Sequence, residues 1–204
     1  MNYTSLVADI ATWMKRTDLT AVIPSFVETA QYSLNRELGR QQLAQWEQRA
    51  ETTTTQGDEG IARPTSSAGI RTMKLLGASN RDLLFRTPAV LDGKYSSTEL
   101  GIPDVWTLDG NEIRLRPVPG GEYTIQITYW KVPTPISASN ATNWYTDNEP
   151  DLLLFECLHL ACLYVQDDAG AAKWRAKADV ALMGVKDKDC GIKWSGEPLT
   201  MVAQ

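Results

Sequence analysis

The side chains that could do chemistry in this chain of 204 residues are few, and they cluster near one segment. The single histidine, His159, lies within the run Leu152 to Val165, where Glu156 is the one other non-apolar residue. A base there would need a pocket inside an apolar helix, so the spacing predicts a buried, hydrogen-bonded histidine. Cys157 and Cys162 share the same run and read as small hydrophobes. With Cys190 they make an odd count of three, which predicts free thiols and a reducing compartment. No Cys/His set has zinc spacing. Asp147, Glu149 and Asp151 resemble a metal loop, but the glycine and glutamate that a calcium loop requires are missing. Asp167-Asp168 reads as a corner between helices, with Asp168 as N-cap. Gly120-Gly121 makes a turn, and no glycine-rich loop joins a strand to a helix as a phosphate cradle would. No pair of carboxylates is marked out for glycosidic chemistry. Neither a cofactor nor a metal is expected.

The acidic residues before the apolar run are better explained as helix punctuation. Thr146 and Glu149 have capping-box spacing. Pro150 suits a first turn, and Asp147, Glu149 and Asp151 place negative charge at the positive end of the dipole. A helix apolar on nearly every face must be covered on nearly every face. This predicts the central helix of a small domain, or one partly covered by a neighbouring copy.

The formal net charge of −5, with no basic run, argues against a phosphate-gripping nucleic-acid surface. No secretory signal is recognised, and no apolar run reaches the ~20 residues of a membrane span. Seven tryptophans (Trp13, Trp46, Trp106, Trp130, Trp144, Trp174 and Trp194) are scattered. They read as core and interface anchors rather than a carbohydrate-stacking face.

Hydrophobic periodicity supplies the frame. Helices are expected near 4–16, 21–38, 149–166 and 169–188, the last ended by Cys190-Gly191. Between Gln45 and Pro135 the period shortens to strands and turns. These include a hairpin at Asp109-Gly110 and the alternating Tyr123 to Trp130, read as an antiparallel meander with one wet side. The expected fold class is α+β, a four-helix bundle (two N-terminal, two C-terminal helices) with an inserted antiparallel β-sheet and an extended C-terminal tail. The boundaries are 1–45 and 136–190 for the two halves of the bundle, 46–135 for the β insertion, and 191–204 for the tail.

Four segments, about half the chain, are similar in order and spacing to the head-to-tail adaptor (connector) proteins of tailed bacteriophages. The first is Arg16-Thr17-Asp18-Leu19 with Ile23 to Ala30 and Leu34 to Leu38. The second is Tyr129-Trp130 with Pro133. The third is Thr142-Asn143-Trp144 with Pro150-Asp151, the apolar helix, Asp167-Asp168 and Trp174. The fourth is Trp194 to Leu199. Ala62-Arg63-Pro64-Thr65-Ser66 departs from the Leu-Pro-x-Asp-Phe-like turn of similar proteins.

The resemblance implies a non-enzymatic virion protein of the neck, made in the host cytoplasm. It implies a ring, usually of twelve copies, docked on the portal protein and offering a platform to the next tail or neck protein. Genomic DNA would pass through its channel without sequence-specific binding, and no membrane is involved. The tail, with Trp194, Gly196, Pro198, Leu199 and Met201, is expected to dock in extended form on the portal or an adjacent subunit. The competing readings are a non-catalytic carbohydrate- or protein-binding module and a virion-carried cell-wall hydrolase.

Overall fold

A computed structural model describes residues 1–77 and 80–194. Its helices are α1 (Tyr3–Met14), α2 (Ile23–Gln41), α3 (Pro88–Lys94), α4 (Trp144–Asn148), α5 (Pro150–Tyr164) and α6 (Asp168–Trp194). Its strands are β1 (Glu47–Thr53), β2 (Gly60–Ala62), β3 (Ser67–Leu76), β4 (Arg81–Phe85), β5 (Leu100–Gly101), β6 (Val105–Asp109), β7 (Glu112–Arg116), β8 (Val118–Pro119) and β9 (Thr124–Lys131). The chain divides into two compact units, one formed by Met1–Gln45 with the chain from Pro133 onward, the other by Trp46–Val132.

The helical unit is built around α5. Leu152, Leu153, Leu154, Cys157, Leu158, Ala161 and Cys162 are all buried, because α1, α2, α4 and α6 all pack against this helix. The unit therefore covers most of its apolar helix by itself. Phe155 and Leu160 are half-buried, and Leu163 and Tyr164 in the last turn are exposed.

The start of α5 corrects the expected capping box. Asn143 Oδ1 accepts from the amides of Tyr145 at 3.0 Å and Thr146 at 3.3 Å. Thr146 Oγ1 accepts in return from the Asn143 amide at 2.8 Å. The box thus joins Asn143 to Thr146 and starts the short extra helix α4. Glu149 is the C-cap of α4, its amide donating to the Tyr145 carbonyl at 2.9 Å, and the N-cap residue of α5, where its side chain makes no capping bond; its carboxylate accepts from Lys188 Nζ at 2.6 Å.

The β unit overturns the antiparallel insertion. It is a seven-stranded mixed sheet in the order β1-β9-β3-β4-β6-β7-β2, beside a two-stranded pair β5-β8. Leu84 and Phe85 of β4 pair in parallel with Val105 and Trp106 of β6. A parallel pair needs a crossover, and residues 86–104 supply it, with α3 packed on β6. Met73, Leu75, Leu83, Trp106, Ile113, Leu115, Ile125 and Ile127 form the core. Thr128 and Trp130, on the supposedly wet side of β9, are buried too. The hairpin turn is Gly110-Asn111, since Asp109 pairs with Glu112. Gly110 sits at φ +60, where glycine carries no Cβ penalty.

Six helices and this large mixed sheet, among the described residues, replace the expected four-helix bundle with an inserted antiparallel sheet. Nor does the chain become extended after Gly191, because α6 runs on through Trp194. An interior glycine costs only ~1 kcal/mol, and Lys193 offsets it. Its ammonium pairs with Asp189 at 2.6 Å and donates to the Gln41 carbonyl at the end of α2 at 3.2 Å.

Candidate docking surface

The 27-residue helix α6 carries three exposed large apolar side chains, Val180, Met183 and Ile192. Its first turn is set by Asp167, whose Oδ1 accepts from the Gly170 amide at 3.0 Å. Asp168, expected as the cap, is instead the first residue of the helix. A Cβ on Gly170 would lie 2.1 Å from Asp167 Oδ2, so the cap and the glycine require each other.

From there, Ala171, Ala178, Leu182, Val185 and Asp189 turn inward and are buried. Val180 lies half a turn round from Ala178 and Leu182 and is 70% exposed, with Met183 beside it at 62%. These two apolar side chains form a ridge with a groove on each side.

The first groove, between α2, α5 and α6, has a volume of about 530 Å3 and is mainly ionic. Arg175 Nη1 donates to both Glu156 oxygens at 3.2 Å, and its Nη2 reaches Asp179 at 3.0 Å. Across the groove Lys186 pairs with Glu37 at 3.0 Å. That ammonium holds the Glu37 carboxyl below its ordinary range, first through the hydrogen bond and then through its charge.

The second groove, of about 380 Å3, is lined by Asp151, Phe155, Ala176, Lys177, Val180 and Ala181. Beside it Phe155 stacks on Trp174, with centroids 5.7 Å apart and planes at 23°. Trp13 of α1 meets Trp174 edge-on at 5.3 Å. The fold thus joins two tryptophans that the sequence spacing leaves apart. With Phe155 and the ammoniums of Lys173 and Lys177 around Trp174, the pair ties α1 to α6, while Trp13 stays 50% exposed.

The residues singled out for chemistry are occupied structurally. His159 Nδ1 lies 2.9 Å from the Ala171 carbonyl, a bond that ties α5 to α6. Burial pushes the Cys157 and Cys162 thiols up, away from the reactive thiolate. Among the described residues no group of His, Cys, Asp and Glu is placed to hold a metal ion, and no helix is long and apolar enough to cross a membrane. Of the expected docking residues, Trp194 is the last residue of α6. Gly196, Pro198, Leu199 and Met201 lie outside the described residues.

The ridge of Val180 and Met183 was missed by periodicity, although the signal was present. Both fall off the stripe set by Trp174, Ala178, Leu182 and Val185, which marks apolar residues on the outer face.

In comparison with known proteins, a family model described as SU10 adaptor protein matches residues 1–199 of the chain. No curated protein matches it.

Proposed function

We propose, from the premise that this chain belongs to the SU10 adaptor protein family, a family of phage head-to-tail adaptors, that it forms a ring in the neck of the virion. The ring docks on the portal protein, extends the DNA channel, and presents a platform to the next tail or neck protein. Neighbouring copies, twelve in the resemblance, contact one another around it. DNA slides through without sequence-specific binding, for which a chain of net charge −5 is suited.

The observation that carries this reading is the extent of the family match, which spans both the helical and the β unit rather than one of them. The outer face of α6 supports it. Val180 and Met183 are costly to leave in water, and the charged groove beside them offers register to whatever covers them. The segment after α6, with Gly196, Pro198, Leu199 and Met201, follows directly from Trp194, and we assign it to docking on the portal or an adjacent subunit.

The test uses purified portal protein and this chain. Native mass measurement of the mixture gives a closed oligomer of the chain on the portal. Val180→Asp with Met183→Asp leaves the unfolding midpoint in place and prevents that oligomer. Unchanged assembly by the double variant removes the α6 ridge from the interface. Failure of the unaltered chain to bind portal at all removes the ring reading itself.

A further inference from the structure

Helix α6 carries two apolar stripes, and the helical unit covers one of them. Ala171, Ala178, Leu182 and Val185 are buried. On the opposite side Ala172, Ala176, Val180 and Met183 recur at steps of four, four and three residues, and all four are exposed. That spacing marks a second face built to be covered. Gly184, one turn beyond Val180, lies on the same side. A Cβ placed there would meet nothing within 4 Å, and a glycine inside a helix costs ~1 kcal/mol against alanine. Packing among the described residues gives no reason for a glycine at this position. Close approach of another backbone does.

The charges on this face are opposite in sign and evenly placed about Val180. Lys173 lies seven residues before it and Asp187 seven after it, both exposed. Seven residues make about two turns, so each charge sits nearly in line with Val180, about 10.5 Å along the axis on either side. Lys173 leans over the ring of Trp174, its ammonium 5.3 Å from the centroid. Neither Lys173 nor Asp187 forms an ion pair among the described residues.

Such a face is complementary to itself. A second α6 laid antiparallel on the first, with the two Val180 side chains on a two-fold axis, sets each Lys173 opposite the partner's Asp187 and so forms the same ion pair twice. Ala176 then meets the partner's Met183, a small side chain against a large one, and Ala176 and Gly184 leave room for the two backbones to come close. A parallel alignment sets Lys173 against the partner's Lys173 and loses both pairs. We infer that a second copy of this chain covers the face in the free protein, through two-fold antiparallel pairing of α6 about Val180. The ring reading places the same ridge in its interface, so the pair parts before a ring forms on the portal. The inference concerns the chain before it meets the portal and does not depend on the ring.

The experiment is sedimentation velocity on the full chain without portal, across a dilution series. The variants are Lys173→Glu and Asp187→Lys, each alone and then as an equimolar mixture, with thermal unfolding as the check on their fold. Wild type is expected to pass from a single chain to a species of twice its mass as concentration rises. Each single variant sets like charges opposite one another and is expected to self-associate about tenfold more weakly or worse. In the mixture the introduced glutamate faces the introduced lysine, and the native Lys173 of one variant faces the native Asp187 of the other, so association returns to the wild-type level. Val180→Cys reads the register separately. Its two thiols meet on the axis and give a disulfide-linked dimer on mild oxidation. The exposed Cys190 and its copy would lie about 30 Å apart, so wild type gives no such link. A wild type that stays a single chain at every concentration overturns the inference and leaves the face to a different protein. A mixture that associates no better than its components also overturns it, as does a Val180→Cys chain that forms no link. Ring formation on portal is read in its own assay, and its failure there leaves each of these outcomes as it stands.

Discussion

Glu156, 4% exposed on the apolar helix α5, receives Nη1 of Arg175 from α6 with both carboxylate oxygens at 3.2 Å. A buried carboxylate is retained only with such a partner. Arg175→Ala leaves it unpaired and is expected to cost ~1–3 kcal/mol. Glu156→Met removes the charge together with its need for a partner and costs less. Chemical denaturation of both variants checks the order, and the reverse order contradicts the assignment of Glu156 as the residue that needs the pair.

Gly170→Ala tests the corner before α6. The new methyl displaces the Asp167 carboxylate from the Gly170 amide, so the loss is that of an N-cap, ~1 kcal/mol or somewhat more. Asp167→Ala loses the same bond. If the corner is understood, adding Gly170→Ala to Asp167→Ala costs little further, because the clashing oxygen is gone. Additive losses in a double-mutant cycle disprove the coupling.

The long helices were legible because their stripes recur at 3.6 residues, as Leu6 and Ile10 or Phe26, Val27, Ala30 and Leu34 do. Pairing between strands was not. Nothing local to Leu84 and Phe85 says that their partner is Val105, some twenty residues on, or that it runs parallel. Capping was misplaced by one unit because Asn143/Thr146 and Thr146/Glu149 have the same spacing, and only the backbone decides between them. Gly191 looked like a stop, and the bonds that carry α6 past it come from Asp189 and from Gln41 on another helix.

The Glu37–Lys186 pair gives a signed pH dependence. The folded-state pKa of Glu37 lies below its ordinary 4.5, so the unfolded chain takes up this proton first as the pH falls. The stabilisation is full above 4.5 and fades as the pH drops through the lower folded value. Both side chains are partly exposed, at 34% and 45%, so water screens the pair and the effect is modest. Thermal unfolding from about pH 5 to about pH 3 is expected to fall less steeply for Glu37→Gln than for wild type. Parallel curves contradict the pair's contribution.

Leu158→Ala empties a fully buried site on α5 and is expected to cost ~2–5 kcal/mol. A loss below ~1 kcal/mol in denaturant unfolding contradicts the placement of α5 at the centre of the helical unit.

Removing residues 195–204 while keeping Lys193 and its bonds is expected to leave the unfolding midpoint unchanged and to abolish attachment to portal protein. Attachment at unaltered affinity, read by calorimetry, transfers the docking contact to the body of the protein.

The central claim is tested most directly by a single-particle reconstruction of the neck of the purified virion. The account predicts a closed ring of this chain seated between the portal and the next tail protein around the DNA channel. Finding the chain elsewhere in the particle, or in the neck as isolated two-fold pairs, contradicts it.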